Sequence, residues 1–494
     1  MSDKISILHI SDLHRSKDFQ VSNSALLSSL IFDRDKYTGS ESPKIQSPDL
    51  IIVSGDIVRG SSNPDTHKSR EELEHQYDEA AEFLSDLTKH FLNGDKSKLI
   101  IIPGNHDIDW MFSKASMEKL DNSKIFDASN NVRLEILNES IHPYSSTRWS
   151  WRDLSFYRIK DTELYNKRLE AFSNFYCKFY EGQRRYSLNP AEQFDSFDYP
   201  QLNLSIIAFN SCYNNDHLRF VGDIHPDCIS KASLKIRELV KRGRLIVATW
   251  HHNTKGGPNE FNYMDSSRLK NFIDCQIAIG FHGHQHKNEV INEYNDVIEQ
   301  KKITVFSAGT LCGGPKELPT GSNRQYNIVE LESELKKKSI KVTLHVREKS
   351  ESSSFNNPIW TPGRIDSKNI SSYSFEITDS RAADNSTLLL DIAQLIGDGD
   401  FESAKISLMK MNVDDDFVRK FLVECIINTD DHVLALELLS KPQTNKEIIV
   451  VLNAAYQLRN KAKIREILDE IDDGAKKDPS VIEIIKKVRV LLHD

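Results

Sequence analysis

Cysteine is scarce in this chain: there are six in 494 residues, at positions 177, 212, 228, 275, 312 and 425, and none forms a Cys-x-x-Cys pair. That spacing argues against a disulfide framework or a zinc ribbon and makes a reducing compartment the natural setting. Long apolar runs are missing as well. No stretch approaches the roughly 20 apolar residues that span a bilayer. The apolar run at 5–10, just after Met-Ser-Asp-Lys, is too short for a signal-peptide core and lacks a small-residue cleavage site. A cytoplasmic protein is expected. Nor is there an excess of positive charge. The formal net charge is -9, which speaks against wholesale wrapping of nucleic acid while leaving room for a local basic groove. The composition, 38% hydrophobic and 28% charged, suits a globular chain, and the length suits two or three domains.

What is present is a rhythm of short apolar runs, at 5–10, 50–53, 99–102, 204–209, 245–249, 277–280 and 303–307. Each is rich in Ile, Val or Leu and bounded by Gly, Pro, Asp or Asn, as buried strands are. Helical patterns separate several of them, which predicts an α/β domain over residues 1–349. One such helix is expected at 70–91, with Leu73, Tyr77, Ala80, Ala81, Leu84 and Leu87 on one face. Residues 110–200 break the rhythm with few strands and many aromatics, and read as an insertion or cap near the site. Within it, 161–180 reads as one amphipathic helix carrying Tyr165, Leu169, Phe172, Tyr176 and Phe179. Residues 350–385, with four serines within 350–354 and Pro358, Pro362 and Gly363, read as a linker or a loosely packed arm. Residues 386–494 read as three helical hairpins. Ala404, Ala435 and Ile464 recur about 30 residues apart, which suggests an array like tetratricopeptide repeats; a plain helical bundle is the alternative.

The chemistry lies where the apolar runs end. The run at 5–10 leads to Ser11-Asp12-Leu13-His14, 50–53 to Ser54-Gly55-Asp56, and 99–102 to Pro103-Gly104-Asn105-His106-Asp107. The run at 245–249 leads to Trp250-His251-His252, and 277–279 to Gly280-Phe281-His282-Gly283-His284-Gln285-His286. Sites in α/β sheets gather at carboxyl ends of strands. Imidazoles with carboxylates and a carboxamide, and no thiolate, suit Mn²⁺, Fe²⁺/Fe³⁺, Zn²⁺ or Ni²⁺. Seven donors are too many for one ion and about right for two. The Asp12/His14 pair at a strand end puts both side chains on one face, since alternate strand residues point the same way, and His284/His286 repeat that geometry.

These five blocks, Asp-Leu-His, Gly-Asp, Gly-Asn-His-Asp, His-His and Gly-His-Gln-His in that order, resemble the calcineurin-like metallophosphoesterases, over roughly residues 5–345. The resemblance implies an αββα sandwich, two mixed β-sheets flanked by helices; the helical pattern of 386–494 adds an all-α domain after it. It implies one transition-metal ion on Asp12, His14 and His286, a second on Asn105, His251 and His284, and Asp56 bridging them. It also implies that His106 stabilises the transition state or protonates the leaving oxygen, and that Asp107 orients His106. The expected reaction is hydrolysis of a phosphoester by a hydroxide shared between the ions.

Some side chains carry two readings. His252 is the alternative ligand to His251. His282 is a packed core histidine or a substrate contact, and Arg15 a solvated side chain or a phosphate contact. Trp149, Trp151, Phe156 and Tyr157, among Arg148, Arg152, Arg184 and Arg185, are core or a base-stacking platform. Gly256-Gly257 supplies a flexible loop that would edge the pocket. The leading expectation is a phosphodiesterase acting on a nucleotide or cyclic nucleotide. A metal-dependent nuclease is the alternative, disfavoured by acidic side chains outnumbering basic ones in 386–494. From another class comes an interaction scaffold whose helical array binds a partner protein or a second copy of the chain. A phosphoprotein phosphatase ranks last, since extra arginine-bearing blocks are missing.

Overall fold

The computed structural model describes residues 4–16, 21–141, 145–255, 262–296, 301–314, 317–334, 339–365, 370–379, 392–409, 411, 413, 415–472 and 474–493. The loop at Gly256-Gly257 lies outside these residues. The chain divides into two compact units, Met1–Arg381 and Ala382–Asp494.

The first unit is built on two sheets. The strands of the first are β1 (Lys4–Ile10), β2 (Leu50–Val53) and β3 (Leu99–Ile101), with β13 (Gln325–Glu334), β14 (Ser339–Lys349), β15 (Trp360–Pro362) and β16 (Ser372–Thr378). Their order is β15-β14-β13-β1-β2-β3, with β16 also pairing β14. β1, β2 and β3 are parallel, and β13 runs antiparallel to β1. The second sheet has the order β11-β12-β10-β9-β8-β7. These strands are β7 (Phe194–Tyr199), β8 (Leu204–Phe209), β9 (Leu245–Thr249), β10 (Ile279–His282), β11 (Glu289–Asp296) and β12 (Lys301–Ser307). Here β8, β9, β10 and β12 are parallel, with β7 and β11 antiparallel at the edges.

One apolar core holds the two sheets together. It joins Ile7, Ile51 and Ile100 of the first sheet to Ile206, Val247, Ile279 and Phe281 of the second. A second core packs the outer face of the second sheet, through Ile207, Ile246 and Ala248, against the helices Pro226–Lys241 and Ser267–Asp274. The outer face of the first sheet is covered by α1 (Asn23–Asp35) and α2 (Thr66–Phe91). This is the αββα sandwich. Helix α2 starts earlier than its apolar stripe because the Asp65 carboxylate accepts from the Lys68 N–H and caps it. Its buried stripe, Leu73, Tyr77, Ala80, Leu84 and Leu87, is the periodic one.

Three expectations change. Residues 110–200 hold, besides α3 (Trp110–Ala115), a small sheet of order β4-β6-β5, formed by Met117–Lys119, Ser155–Ile159 and Thr147–Ser150. The helix expected at 161–180 breaks into Thr162–Asn166, a tight turn at Lys167–Leu169, and Glu170–Phe179. The buried Arg168 guanidinium binds the Tyr165 carbonyl and the Cys212 and Tyr213 carbonyls there, drawing the turn inward. Its aromatics Tyr165, Phe172, Tyr176 and Phe179 are core, whereas Trp151 is 81% exposed on a hairpin. The stretch 350–385 is not merely a linker: β15 and β16 pair with β14, and Trp360 is buried with its indole N–H donated to Ser29.

The second unit is helical, with helices Phe401–Leu408, Asp416–Thr429, His432–Leu438, Asn445–Gln457, Lys461–Glu470 and Pro479–His493. The polar turns between apolar segments act as N-caps: Asp400, Asp431 and Asn460 each accept from a backbone N–H of the next helix. The last helix, beyond the three hairpins read from sequence, contributes Val481, Ile484 and Val488 to a core with Val451, Ile464 and Ile467.

Candidate metal centre

Each chemistry-bearing block follows the carboxyl end of a parallel strand: β1, β2, β3, β9 and β10. The backbone there is not a continued strand. Asp12, His14, Asp56, His284 and His286 all lie in the left-handed region, with φ of 53°, 44°, 52°, 72° and 56°. Non-glycine residues enter it at a cost of roughly 1–2 kcal/mol each. The Asp12/His14 and His284/His286 pairs therefore converge through alternate left-handed turns, not through strand alternation. The turns are held by bonds from the loop after β1 to the loop after β2: Asp12 N–H donates to the Gly55 carbonyl at 3.1 Å and His14 N–H to that of Asp56 at 3.0 Å. Gly104 has to be glycine, since a Cβ would strike the Asp56 backbone nitrogen and carboxylate.

Two groups of donors result. Asn105 Oδ1 lies 3.0 Å from His251 Nε2 and 2.9 Å from His284 Nδ1. These two nitrogens are 3.3 Å apart, and Asp56 Oδ2 is 3.3 Å from His251 Nε2. A tetrahedron of metal–nitrogen bonds of about 2.0–2.1 Å has edges of about 3.3–3.4 Å, so these four atoms fit one ion. In the other group, His286 Nε2 is 3.1 Å from Asp12 Oδ1 and 3.3 Å from His14 Nε2. His14 Nε2 is 3.9 Å from Asp12 Oδ1 and 4.0 Å from Asp56 Oδ2. Asp56 Oδ2 thus faces both groups. All are buried or nearly so. Lone pairs packed this closely repel unless a proton or a metal cation lies among them, and the donor set fits two transition ions.

Charge in the metal-free site follows from the same geometry. Burial alone would lower His251, but Asp56 outweighs it and lifts the imidazole to about 9. Burial is likewise overcome at His286, which Asp12 lifts to about 9. Against burial, His286 holds Asp12 down at about 2. Burial, with neighbouring histidines, pushes His14 to about 4 and His284 to about 3. Such perturbation clusters at functional sites.

Backbone carbonyls set the ring orientations. His251 Nδ1 donates to the Ser54 carbonyl at 2.8 Å and His286 Nδ1 to that of Glu317 at 2.7 Å. His106 Nδ1 donates to the Arg59 carbonyl at 2.7 Å. This corrects the expected role of Asp107. Its carboxylate accepts from Gly104 N–H, Ile57 N–H and the Tyr77 hydroxyl at 2.7, 3.2 and 2.9 Å, and so ties the β2 and β3 loops together. Burial and the Asp56 charge raise it to about 7. Arg15 is neither solvated nor aimed at the site: it is fully buried and pairs with Glu79 at 2.8 Å. His252 lies behind the centre, its Nδ1 2.9 Å from the Ser211 hydroxyl, and His282 is buried with Nδ1 on the Gly283 carbonyl.

The model of the calcineurin-like phosphoesterases matches residues 5–288. The chain belongs to the calcineurin-like phosphoesterase family. The matched span ends two residues past His286 and takes in all five blocks, while β13 to β16 complete the first sheet beyond it. A dimetal phosphatase from Danio rerio aligns at 9% identity with a TM-score of 0.37, over 72% of this chain and 98% of that one. No curated protein matches the chain. The phosphoesterase is metal-dependent, and among its described residues no helix is long and apolar enough to cross a membrane.

Beside the centre opens a cavity of about 660 Å³, lined among others by Arg59, Glu72, His75, Gln76, Asn105, His106 and Trp110. None of these but Asn105 and His106 stands out in sequence, because no metal-ligand spacing marks them. The signal that does exist is the polar Glu72, His75, Gln76 spacing on the face of α2 away from its apolar stripe.

Proposed function

We propose that this phosphoesterase hydrolyses a phosphodiester, most simply a nucleotide or cyclic nucleotide, in the reducing cytoplasm, where its six free cysteines stay thiols. The observation that carries the two-metal reading is Asp56 Oδ2 facing both donor groups. In this reading Asp12, His14 and His286 hold one ion, Asn105, His251 and His284 the other, and Asp56 both. When bound, the pair supplies positive charge to the phosphate oxygens and acidifies water. The chain's own residues do the rest. The Ser54 and Glu317 carbonyls orient the ligand imidazoles. The Arg59 carbonyl binds His106 Nδ1–H, so the other ring nitrogen is the one that gives a proton to the leaving oxygen. The cavity beside His106 supports a diester, since it leaves room for a substituent beyond the phosphate. The helical unit 382–494 is read as a docking module for a partner protein or a second copy of the chain.

The test is a panel with Mn²⁺ added: p-nitrophenyl phosphate, bis(p-nitrophenyl) phosphate, cyclic nucleotides, single- and double-stranded DNA and RNA, and a phosphopeptide. Preference for the diester and for nucleotides supports the reading. Exclusive monoesterase or phosphopeptide activity overturns it, and exclusive cleavage of polymers favours the nuclease.

A further inference from the structure

The cavity beside the metal centre has three unlike walls. The first is Asn105 and His106 of the centre itself. The second is polar and held in place. Helix α2 presents Glu72, His75 and Gln76 at i, i+3 and i+4, facing the loop that carries Arg59, Gly60, Ser61 and Ser62. Gln76 grips both backbone groups of Gly60 at 3.1 Å. The Glu72 carboxylate accepts from Ser61 Oγ at 2.5 Å and Asn63 Nδ2 at 2.8 Å. The third wall is apolar: Ile108 and Trp110. Trp110 packs on the edge of the main core and meets Phe220 at 5.9 Å between ring centroids, tilted by 50°. Phe220 is 47% exposed, although it is a large apolar side chain.

A ligand matching these walls carries a phosphate at one end, a flat ring for the indole, and polar edges for the α2 side. The volume lies within the roughly 300–1,000 Å³ of pockets that enclose one small molecule, which suits a single nucleoside and not a helical polymer. We propose that this cavity is the nucleoside subsite. The base lies against Trp110, whose indole Phe220 supports from the other side, and the polar groups of base and sugar lie along Arg59, Ser61, Ser62 and His75. The assignment rests on the phosphodiesterase reading for its direction. Because His106 forms one wall, the nucleoside held here is the half bearing the leaving oxygen. A new bond forms from the oxygen of water to phosphorus, the bond from phosphorus to the nucleoside oxygen breaks, and the proton from His106 passes to that oxygen. The water's own proton restores the balance.

The subsite is read by binding alone, with no turnover. The full-length protein, with chelator present, is titrated with adenosine, guanosine, cytidine and uridine by saturation-transfer NMR and equilibrium dialysis. At least one nucleoside is expected to bind. Alanine replacement of a stacking aromatic weakens base binding about 5- to 140-fold, so Trp110→Ala should fall in that range and Trp110→Phe should recover most of the loss. Ser62→Ala and His75→Ala should change the ranking of the four bases. If Trp110→Ala fails to fold, Phe220→Ala, at a half-exposed position, should still weaken binding. Failure of all four nucleosides to bind the wild type overturns the proposal, as does equal binding by the aromatic variants, or binding of oligonucleotides but not nucleosides. Trp110-dependent binding by a protein that, loaded with two ions, leaves diesters intact would keep the subsite and sink the reaction.

Discussion

Replacing His106 by alanine separates two roles that the geometry brings close together. One ring nitrogen is bound to the Arg59 carbonyl at 2.7 Å. Yet His106 also forms a donor group with His14 and Asp56, whose ligand atoms lie within 4.8 Å of one another. If His106 is the proton donor, its loss costs about 10²–10⁴ in kcat, or about 3–5 kcal/mol of barrier. The folding cost is small: the ring is only partly buried, and the lost bond to Arg59 is worth about 0.5–1.5 kcal/mol. The effect should depend on the leaving group. A p-nitrophenolate leaves with little help, so the variant should lose far less on bis(p-nitrophenyl) phosphate than on a diester with an alkoxide leaving group. Metal content by elemental analysis should stay at the wild-type value. Loss of an ion would make His106 a ligand, and an equal loss on both substrates would refute the acid role.

Other consequences follow from neighbouring contacts. Asp56→Asn should empty both ion sites and bring hydrolysis to background, checked by elemental analysis and diester turnover, because the same carboxylate oxygen faces both groups. Gln76→Leu frees the Gly60 turn and, through Arg59, lets His106 drift. A misplacement of about 1 Å costs up to about 10²-fold, so kcat on alkoxide leaving groups should fall while both ions stay bound. In the metal-free protein His251 and His286 are raised to about 9 and so carry protons at pH 7. An incoming ion displaces them, so affinity should rise between pH 7 and 9 and level off above. Calorimetry in buffers of different ionisation enthalpy should show close to two protons released at pH 7 and fewer above 9. Truncation after Arg381 should leave diester hydrolysis unchanged. Truncation at 350 should unfold the domain, because it removes β15, β16 and the buried Trp360 from the first sheet, as thermal unfolding will report.

The five blocks were legible because each sits where a short Ile/Val/Leu strand meets a turn, and the strands and the carboxylate, carboxamide and imidazole pattern are both written in residue identity. What escaped reading depends on backbone. The Arg59, Ser54 and Glu317 carbonyls that orient His106, His251 and His286 belong to groups every residue has, so no side-chain pattern announces them. The left-handed turns at Asp12, His14, Asp56, His284 and His286 defy the usual preference for glycine there, and strand alternation accounted for the same convergence by the wrong route. Asp107, next to His106 in sequence, looked like its partner. Its carboxylate instead faces the Gly104 and Ile57 amides. Likewise β15 and β16 were hidden by serine- and proline-rich surroundings, since edge pairing to β14 tolerates such sequences.

If seven side chains hold two ions through one shared carboxylate, stripping the protein with chelator, titrating Mn²⁺ back, and measuring bound metal and diester hydrolysis on the same samples will show it. Two ions per chain are expected, with full activity only at the second equivalent and loss of both on Asp56→Asn. Saturation at one ion per chain with full activity, or hydrolysis that survives complete removal of metal, would contradict that arrangement.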